Sequence, residues 1–211
     1  LHNEKGFLPL KHQEEKLISL SFNAKNDLFH QALNSYYPTE SINVKGGEKV
    51  NGLLTKINEM SKGTVVISLH WLTSQAVSTN YDLDQSHIDL IEKLILTRNV
   101  VVVNFSTPYV LKYFSKPNAV IQAFESLESF NLSAAQIIAG AIAPNGVMPC
   151  TIPGKYDEGT GLTFRPLNKL KMGLPEQEGL HSEKLYAIDS LVSKAIKAKA
   201  TPGCQVLIAR N

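Results

Sequence analysis

The sequence is poor in the residues from which disulfide frameworks and metal sites are built. It holds two cysteines, Cys150 and Cys204, far apart among 211 residues, and six histidines that show no metal-ligand spacing. No CxxC pair and no HExxH motif occurs, so neither a disulfide framework nor a zinc site is expected. We predict that the chain holds no metal ion and uses no cofactor.

The sequence also lacks long apolar runs and concentrated charge. No stretch approaches the roughly 20 apolar residues that a membrane span requires, and the formal net charge is +2, with scattered lysines. We therefore expect no membrane span and no nucleic-acid partner. The first residue is Leu1 rather than methionine, which leads us to expect a processed or excised piece of a longer protein.

Several motifs that mark common catalytic and nucleotide sites are missing. No GxGxxG follows a strand and no GxxxxGK[ST] occurs, so the usual phosphate cradles of nucleotide-binding proteins are absent. No GxSxG elbow is present, which argues against a complete α/β-hydrolase. No serine stands three residues before a lysine, as an SxxK nucleophile would. No catalytic residue is predicted from these patterns.

The sequence does contain an alternation of apolar runs with amphipathic segments. Five runs carry almost no charge and are the predicted strands: residues 17–22, 41–45, 64–69, 100–105 and 119–124. Between them, apolar residues recur at helical spacing. Such strands are typical of a parallel sheet that is covered on both faces. We predict an α/β fold, a three-layer α/β/α sandwich over residues 1–165, with about five mostly parallel strands plus an edge strand.

Residues 129–153 combine a small-residue helix, a turn and a run bounded by prolines. The helix is predicted from Ser133 to Ala143, and the Pro-Asn-Gly turn at residues 144–146 ends it. Because proline lacks the N–H that a central strand must donate, the extended run at residues 148–153 is the predicted edge strand.

The character of the sequence changes after this run. Glycine and proline are frequent, and we predict a linker at residues 166–180. A helix that begins at Ser182 and a strand at residues 204–209 then form a predicted helix-plus-strand extension over residues 181–211. A helix and one strand cannot form a core by themselves, so we interpret this extension as the beginning of a second domain.

Candidate binding residues follow the predicted carboxyl ends of the strands, where ligands bind in such sheets. His70 and Trp71 follow the third strand, and an indole beside an imidazole can stack on a sugar ring. The alternative is a tryptophan at a domain contact and a histidine bonded to the backbone. Glu125 follows the fifth strand, where it suits an acid/base role if an apolar wall buries it, and otherwise caps a loop. His70, Trp71 and Glu125 are the candidates for a substrate cleft.

Four patterns, in order along the chain, resemble one known family. They are GFLPL at residues 6–10, VVVVNF followed by TPY at residues 100–109, AVIQAFE at residues 119–125, and the closing motif that ends in PNGVMP at residues 144–149. Together they resemble the second, α/β domain of glycoside hydrolase family 3, which includes exo-acting β-glucosidases and β-N-acetylglucosaminidases. Val147 stands where the closing motif of that family carries an arginine.

The resemblance implies a division of catalytic groups between two domains. The nucleophile is an Asp of an N-terminal (β/α)8 barrel, which is then the partner of this chain within the same protein, and the substrate is a carbohydrate. In the β-glucosidase branch a Glu on the loop equivalent to residues 73–84 is the acid/base, but this loop contains no Glu. The β-N-acetylglucosaminidase branch carries an Asp-His pair on the barrel instead.

These features lead us to expect the non-barrel domain of an exo-acting β-N-acetylhexosaminidase, a glycosidase that acts on terminal sugars of cell-wall-type or other β-linked glycans. The chain by itself is expected to be inactive. Two alternatives stay open. One is a β-glucosidase-branch domain in which Glu125 or Asp82 replaces the missing Glu, and the other is a non-catalytic sugar-binding module that uses His70 and Trp71.

The extension has a resemblance of its own. Residues 185–209, with Ala-Thr-Pro-Gly at residues 200–203 before Val-Leu-Ile, resemble the first helix and strand of serine β-lactamases and penicillin-binding-protein-like enzymes. This implies a truncated hydrolase domain whose catalytic Ser and Lys come later in the sequence. Such a fusion suits work on bacterial cell-wall fragments, in a periplasmic or otherwise exported setting.

Overall fold

The structure is a computed structural model that describes residues 2–11, 15–45, 47–70, 80–81, 83–167 and 169–209. The chain divides into two compact units, Leu1–Lys169 and Leu170–Asn211. Each unit is described by itself.

The first unit is built on one sheet, in which the described residues form six strands in the order β1-β6-β5-β4-β2-β3. Four of the pairs are parallel: β3 with β2, β2 with β4, β4 with β5, and β5 with β6. The fifth pair, β1 with β6, is antiparallel. This arrangement confirms the predicted sandwich with a mostly parallel sheet. The strands are β1 (His2–Asn3), β2 (Leu17–Phe22), β3 (Thr39–Val44), β4 (Val65–Leu69), β5 (Val100–Asn104) and β6 (Ala119–Gln122).

Helices cover both faces of the sheet because each central strand is apolar on both sides. Val65 and Ile67 of β4 pack into one core, whereas Val66, between them, packs into the other. The first core also contains side chains of α2 and α3, and the second contains side chains of α1 and α4. These helices are α1 (Leu28–Asn34), α2 (Leu53–Glu59), α3 (Gln85–Thr97) and α4 (Glu128–Ala139).

The edge of the sheet differs from the prediction. The strand beside β6 is β1, whereas residues 148–153 form only an isolated bridge between Ile152 and Tyr156. Pro149 and Pro153 have no N–H to donate to a ladder. The run instead buries Met148 and Ile152, each about 1% exposed, in the core beneath α2 and α3.

The small-residue helix also ends earlier than predicted, at Ala139 rather than Ala143. Gly140 follows it with φ of 75°, a left-handed conformation that favours glycine at a helix end. A Cβ atom on Gly140 would lie 2.6 Å from Cβ of Pro9 and 2.9 Å from Cγ of Leu167. The glycine therefore ends α4 where the opening segment of the chain packs closely against it.

The second unit contains the predicted helix, α5 (Ser182–Lys197), after a 3-10 helix at Pro175–Glu178. The predicted strand at residues 204–209 is wrong, because these described residues pair with no strand. A single strand needs a neighbour to pair with, and the unit provides none among its described residues. No side chain of α5 is buried.

Candidate functional site

The carboxyl ends of the parallel strands form one edge of the sheet, and the candidate residues lie along it. β2 and β4 are neighbours, although β3 comes between them in the chain. The helix after β2 packs on one face of the sheet and the helix after β4 on the other. A crevice that can take a ligand forms at such a topological switch point. His70 follows β4 at this point, and its backbone N–H donates to the carbonyl of Phe22 at 3.0 Å.

His70 is buried rather than open to a ligand, with 3% of its surface exposed. Its ring stacks on Phe105, with centroids 4.7 Å apart and an angle of 18° between the rings. Nδ1 lies 2.7 Å from Oγ of Ser126. Nε2 has no hydrogen-bond partner among the described residues. The imidazole therefore joins the end of β4 to the loop that follows β6.

Burial lowers the pKa of His70 from 6.5 to about 4. An imidazolium in this place would lose its hydration, and no described carboxylate pairs with the ring to compensate. His70 is therefore neutral at neutral pH, and it acts through packing and one hydrogen bond rather than through charge.

Ser126 belongs to a tight turn after β6. Phe124 has φ of 67°, and the N–H of Glu125 donates to the carbonyl of Ala123 at 2.8 Å. A hydrogen bond from residue i+2 to residue i around a residue with this φ is the rarer and strained form of the γ-turn. For a residue as bulky as phenylalanine, such a conformation persists only where the surroundings hold it.

The end of β5 holds the turn from one side. The carbonyl of Asn104 accepts hydrogen bonds from the N–H groups of Ala123, at 2.8 Å, and Phe124, at 3.3 Å. The buried amide of Asn104 donates to Oε1 of Gln122 at 2.7 Å and to the carbonyl of Thr107 at 2.9 Å. The turn is thus fixed to β5 near its start and to the imidazole at Ser126.

The structure brings His70 and Glu125 close to each other at the loop after β6, where the imidazole of His70 is buried and the carboxyl group of Glu125 is exposed. Glu125 is exposed and is followed directly by the serine that His70 contacts. The acid/base role considered for Glu125 depends on an apolar wall around the carboxyl group, and the exposed carboxyl group lacks one. Trp71 and Asp82, the other residues considered for this region, lie outside the described residues.

Phe124, Phe105 and Ser126 receive no role in the prediction from sequence. Their positions next to predicted strand ends were the available signal, because this is where loops gather at the ligand-binding edge. Neither the positive φ of Phe124 nor the contact of Ser126 with His70 leaves a local sequence pattern.

An aromatic cluster occupies another part of the same edge. Nζ of Lys112 lies 5.3 Å from the ring centroid of Tyr81 and 4.8 Å from that of Tyr113. The hydroxyl of Tyr113 donates to Oδ1 of Asn80 at 3.0 Å. These contacts fix the end of the 3-10 helix at Pro108–Tyr113 against residues 80–81.

A groove of about 300 Å³ lies where β6, α4 and the closing motif meet. Most of its lining is apolar, and its polar side chains include Asn3, Ser133 and Asn145. The ring of Phe124 forms part of the wall, so the strained turn borders this groove. The volume suits a small ligand.

The described part of the chain shows no group of three or more His, Cys, Asp or Glu residues that could hold a metal ion. Cys150, partly buried, and Cys204, exposed, are free thiols. Among the helices formed by described residues, none has both the length and the apolar character needed to cross a membrane.

Solved structures share the fold. A fungal multi-domain GH3 β-N-acetylglucosaminidase, described as having a GCN5-related glucosamine N-acetyltransferase region, is 21% identical over 76% of this chain and 18% of that chain, with a TM-score of 0.60. A glycoside hydrolase family 3 β-N-acetylglucosaminidase from Paenibacillus sp. str. FPU-7 is 14% identical over 68% of this chain and 28% of that chain, with a TM-score of 0.53. At these identities the likeness shows the fold alone.

A third structure, the β-glucoside phosphorylase BglX bound to 2FGlc, is 18% identical over 66% of this chain and 26% of that chain. Its TM-score is 0.49. This chain spans between 18% and 28% of the lengths of the three structures. No curated protein matches the sequence.

Most of the sequence also matches one protein family. Residues 1–194 match the family described as the glycosyl hydrolase family 3 C-terminal domain, and the match includes the complete sheet and the turn after β6. The match agrees with the fold of both structures whose TM-scores exceed 0.5. This chain belongs to the family of glycosyl hydrolase family 3 C-terminal domains.

Proposed function

We propose that this chain is the non-barrel domain of an exo-acting β-N-acetylhexosaminidase, which removes terminal sugars from cell-wall-type or other β-linked glycans. The observation that carries the proposal is the family match over residues 1–194, combined with a loop at residues 73–84 that contains no Glu. By the resemblance described above, that loop would hold the acid/base of a β-glucosidase. Two of the solved structures are themselves described as β-N-acetylglucosaminidases.

The proposal assigns the bond-breaking groups to another domain of the same protein. Glycosidases that retain stereochemistry use two carboxyl groups about 5–5.5 Å apart on either side of the scissile bond. The turn after β6 offers one exposed carboxylate, Glu125. The nucleophile then comes from an N-terminal (β/α)8 barrel, and the carboxyl edge of this sheet lines the sugar cleft without supplying a catalytic residue.

The full-length protein is expected to hydrolyse an aryl N-acetyl-β-glucosaminide with a kcat/KM at least about a hundredfold higher than for the aryl β-glucoside. A site that hydrogen-bonds the acetamido group would leave buried polar groups unpaired when the group is missing. Steady-state hydrolysis of the two nitrophenyl glycosides measures the ratio.

A preference for the glucoside would instead support the β-glucosidase alternative. In that case Glu125→Gln should abolish activity and added azide should restore it, while the neighbouring exposed Glu128→Gln keeps full activity. Hydrolysis of neither glycoside by the full-length protein would contradict a glycosidase function altogether.

We also propose that residues 181–211 begin a serine-hydrolase-like domain, joined to the first domain by a linker at residues 166–180. Its support is that α5 buries no side chain and that large apolar residues of this unit are exposed, among them Leu191 at 64% and Leu207 at 83%. An amphipathic helix of this kind normally covers its apolar stripe with a partner.

The full-length protein is then expected to carry an SxxK motif after Asn211 and to be acylated there by a fluorescent penicillin. The amides of α5 should exchange hydrogen slowly in that protein and rapidly in this chain alone, because the added domain covers the helix. A protein in which no SxxK follows, or in which α5 exchanges equally fast in both forms, would contradict the second domain.

A further inference from the structure

The turn at residues 123–126 lies at the surface, and hydrogen bonds hold it at both ends. Two backbone hydrogen bonds to the carbonyl of Asn104 fix its start, and the buried imidazole of His70 contacts Ser126 at its end. Between these anchors the backbone of Phe124 keeps a strained φ of 67°. Strain of this kind gathers at ligand clamps and other functional sites, where the surroundings maintain it.

The same turn directs two side chains of different chemistry away from the core. The ring of Phe124 is 38% exposed and forms part of the wall of the 300 Å³ groove. Glu125 is exposed at the next position. An aromatic ring stacks on the apolar face of a sugar, and a carboxylate accepts hydrogen bonds from hydroxyl groups. The two together offer a stacking surface and a hydrogen-bond acceptor, both of which suit a polyhydroxylated ring.

The surroundings favour a neutral ligand over a charged one. Among the described residues that line the groove there is no lysine and no arginine to attract a phosphate or carboxylate group. Its polar side chains are amides such as Asn145, the hydroxyl of Ser133 and the imidazole of His2. Burial lowers the pKa of His2, which disfavours the charged form of the ring. The carboxylate of Glu125 adds repulsion toward anions. A saccharide therefore fits this surface better than a nucleotide or an acidic peptide.

We infer that residues 123–126 form a saccharide-binding turn, in which Phe124 stacks on a pyranose ring and Glu125 accepts hydrogen bonds from its hydroxyl groups. His70 is a positioning residue, because it touches no ligand and acts by holding Ser126. The inference rests on the proposed function, since a sugar reaches the turn only if this edge of the sheet faces the cleft.

The test measures KM and kcat of the full-length protein on an aryl N-acetyl-β-glucosaminide, or on the glycoside it hydrolyses best. Phe124→Ala and Glu125→Gln should each raise KM about tenfold with kcat changed less than twofold, because a contact made equally in the ground and transition states affects binding. Matched controls lie just outside the turn. Phe130 is also 38% exposed and Glu128 is exposed, so Phe130→Ala and Glu128→Gln should leave KM unchanged.

The positioning role of His70 is tested by a pair of variants. The amide of asparagine stands as many bonds from the backbone as Nδ1 of histidine, whereas that of glutamine stands one bond farther. His70→Asn should retain the hydrogen bond to Ser126 and a normal KM, and His70→Gln should raise KM as Glu125→Gln does. The double variant His70→Gln, Glu125→Gln should raise KM by less than the product of the two single effects, because both changes weaken the contact that Glu125 makes.

The outcomes test the saccharide-binding turn, the role of His70 and the proposed function separately. If the wild-type protein hydrolyses a glycoside and Phe124→Ala and Glu125→Gln behave as their controls do, the saccharide-binding turn is wrong and the proposed function stands. If the effects of His70→Gln and Glu125→Gln add fully, His70 is not a positioning residue for Glu125. If the wild-type protein hydrolyses no glycoside, the proposed function fails and this inference falls with it.

Discussion

Replacing Gly63 with alanine is expected to lower the free energy of unfolding of the first unit by about 3 kcal/mol. A Cβ atom at this position would lie 2.0 Å from the carbonyl oxygen of Lys16 and 3.1 Å from its carbonyl carbon. Both are backbone atoms just before β2, so no side-chain rotation relieves the overlap. The start of β2 would have to move away from β4, and these two strands are paired neighbours in the interior of the sheet.

Neighbouring contacts make that movement harder. The guanidinium of Arg98 donates to the carbonyl of Gly63 at 2.9 Å and to that of Ser61 at 2.7 Å. The N–H of Ile18 donates to the carbonyl of Thr64 at 3.1 Å. A shift of Gly63 therefore strains hydrogen bonds on both sides of it, and those to a charged donor are the stronger kind.

Urea unfolding of this chain measures the effect, with Gly146→Ala as the matched control. A Cβ atom on Gly146 would meet no atom within 4 Å, and its φ does not lie in the left-handed region. The control should unfold within about 0.5 kcal/mol of the wild type. Equal midpoints for the two alanine variants would show that β2 and β4 do not approach as closely as the structure has them.

Acidification from pH 7.5 to pH 4 is expected to remove about 3 kcal/mol of stability through His70 alone. The folded-state pKa is about 4, below the ordinary value of 6.5. Between these two pH values His70 is protonated in the unfolded chain and neutral in the folded chain. The contribution of His70 to stability is thus complete above pH 6.5, is lost progressively as pH falls toward 4, and stays lost at lower pH.

The comparison that isolates this effect uses His70→Asn, which does not titrate. Urea unfolding of both proteins at several pH values cancels the contribution of carboxyl groups and of the other histidines. The wild type should lose about 3 kcal/mol more than the variant over this interval. Parallel pH profiles for the two proteins would mean that the imidazole of His70 is hydrated or paired in the folded state.

The interior of the fold could be predicted from the sequence because burial on both faces leaves a strong local signal. The runs at residues 17–22 and 100–105 carry no charge, and the structure has strands at Leu17–Phe22 and Val100–Asn104. The edge of the sheet left no such signal. β1 is only two residues long and pairs with a strand more than 100 positions away, and such a contact is set by the tertiary fold rather than by local pattern.

The proline-bounded run shows how a correct local argument can give an incorrect assignment. Pro149 and Pro153 do exclude a central strand, yet an edge position was not the only alternative. Met148 and Ile152 are buried in the core. The backbone of Ile152 bonds to Tyr156, and that of Met148 bonds to Gly159 and Thr160. Hydrophobic burial therefore decides the placement where ladder formation is blocked.

The candidate site was predictable in location and not in detail. Parallel topology places His70 and Glu125 at one edge of the sheet, as expected from their positions after the carboxyl ends of predicted strands. The sequence does not reveal that His70 is buried against Phe105, nor that Phe124 takes a strained turn. Both features depend on how the ends of β4, β5 and β6 pack together. The spacing of residues along the sequence therefore does not predict them.

The most direct test of a non-barrel domain is a side-by-side assay of this chain and of the full-length protein. Both are incubated with an aryl N-acetyl-β-glucosaminide and an aryl β-glucoside. We predict turnover by the full-length protein and none by the isolated 211 residues, because the proposed function assigns the nucleophile to the barrel. Clear turnover of either glycoside by the isolated chain would contradict this account, since both carboxyl groups of the reaction would then lie within it.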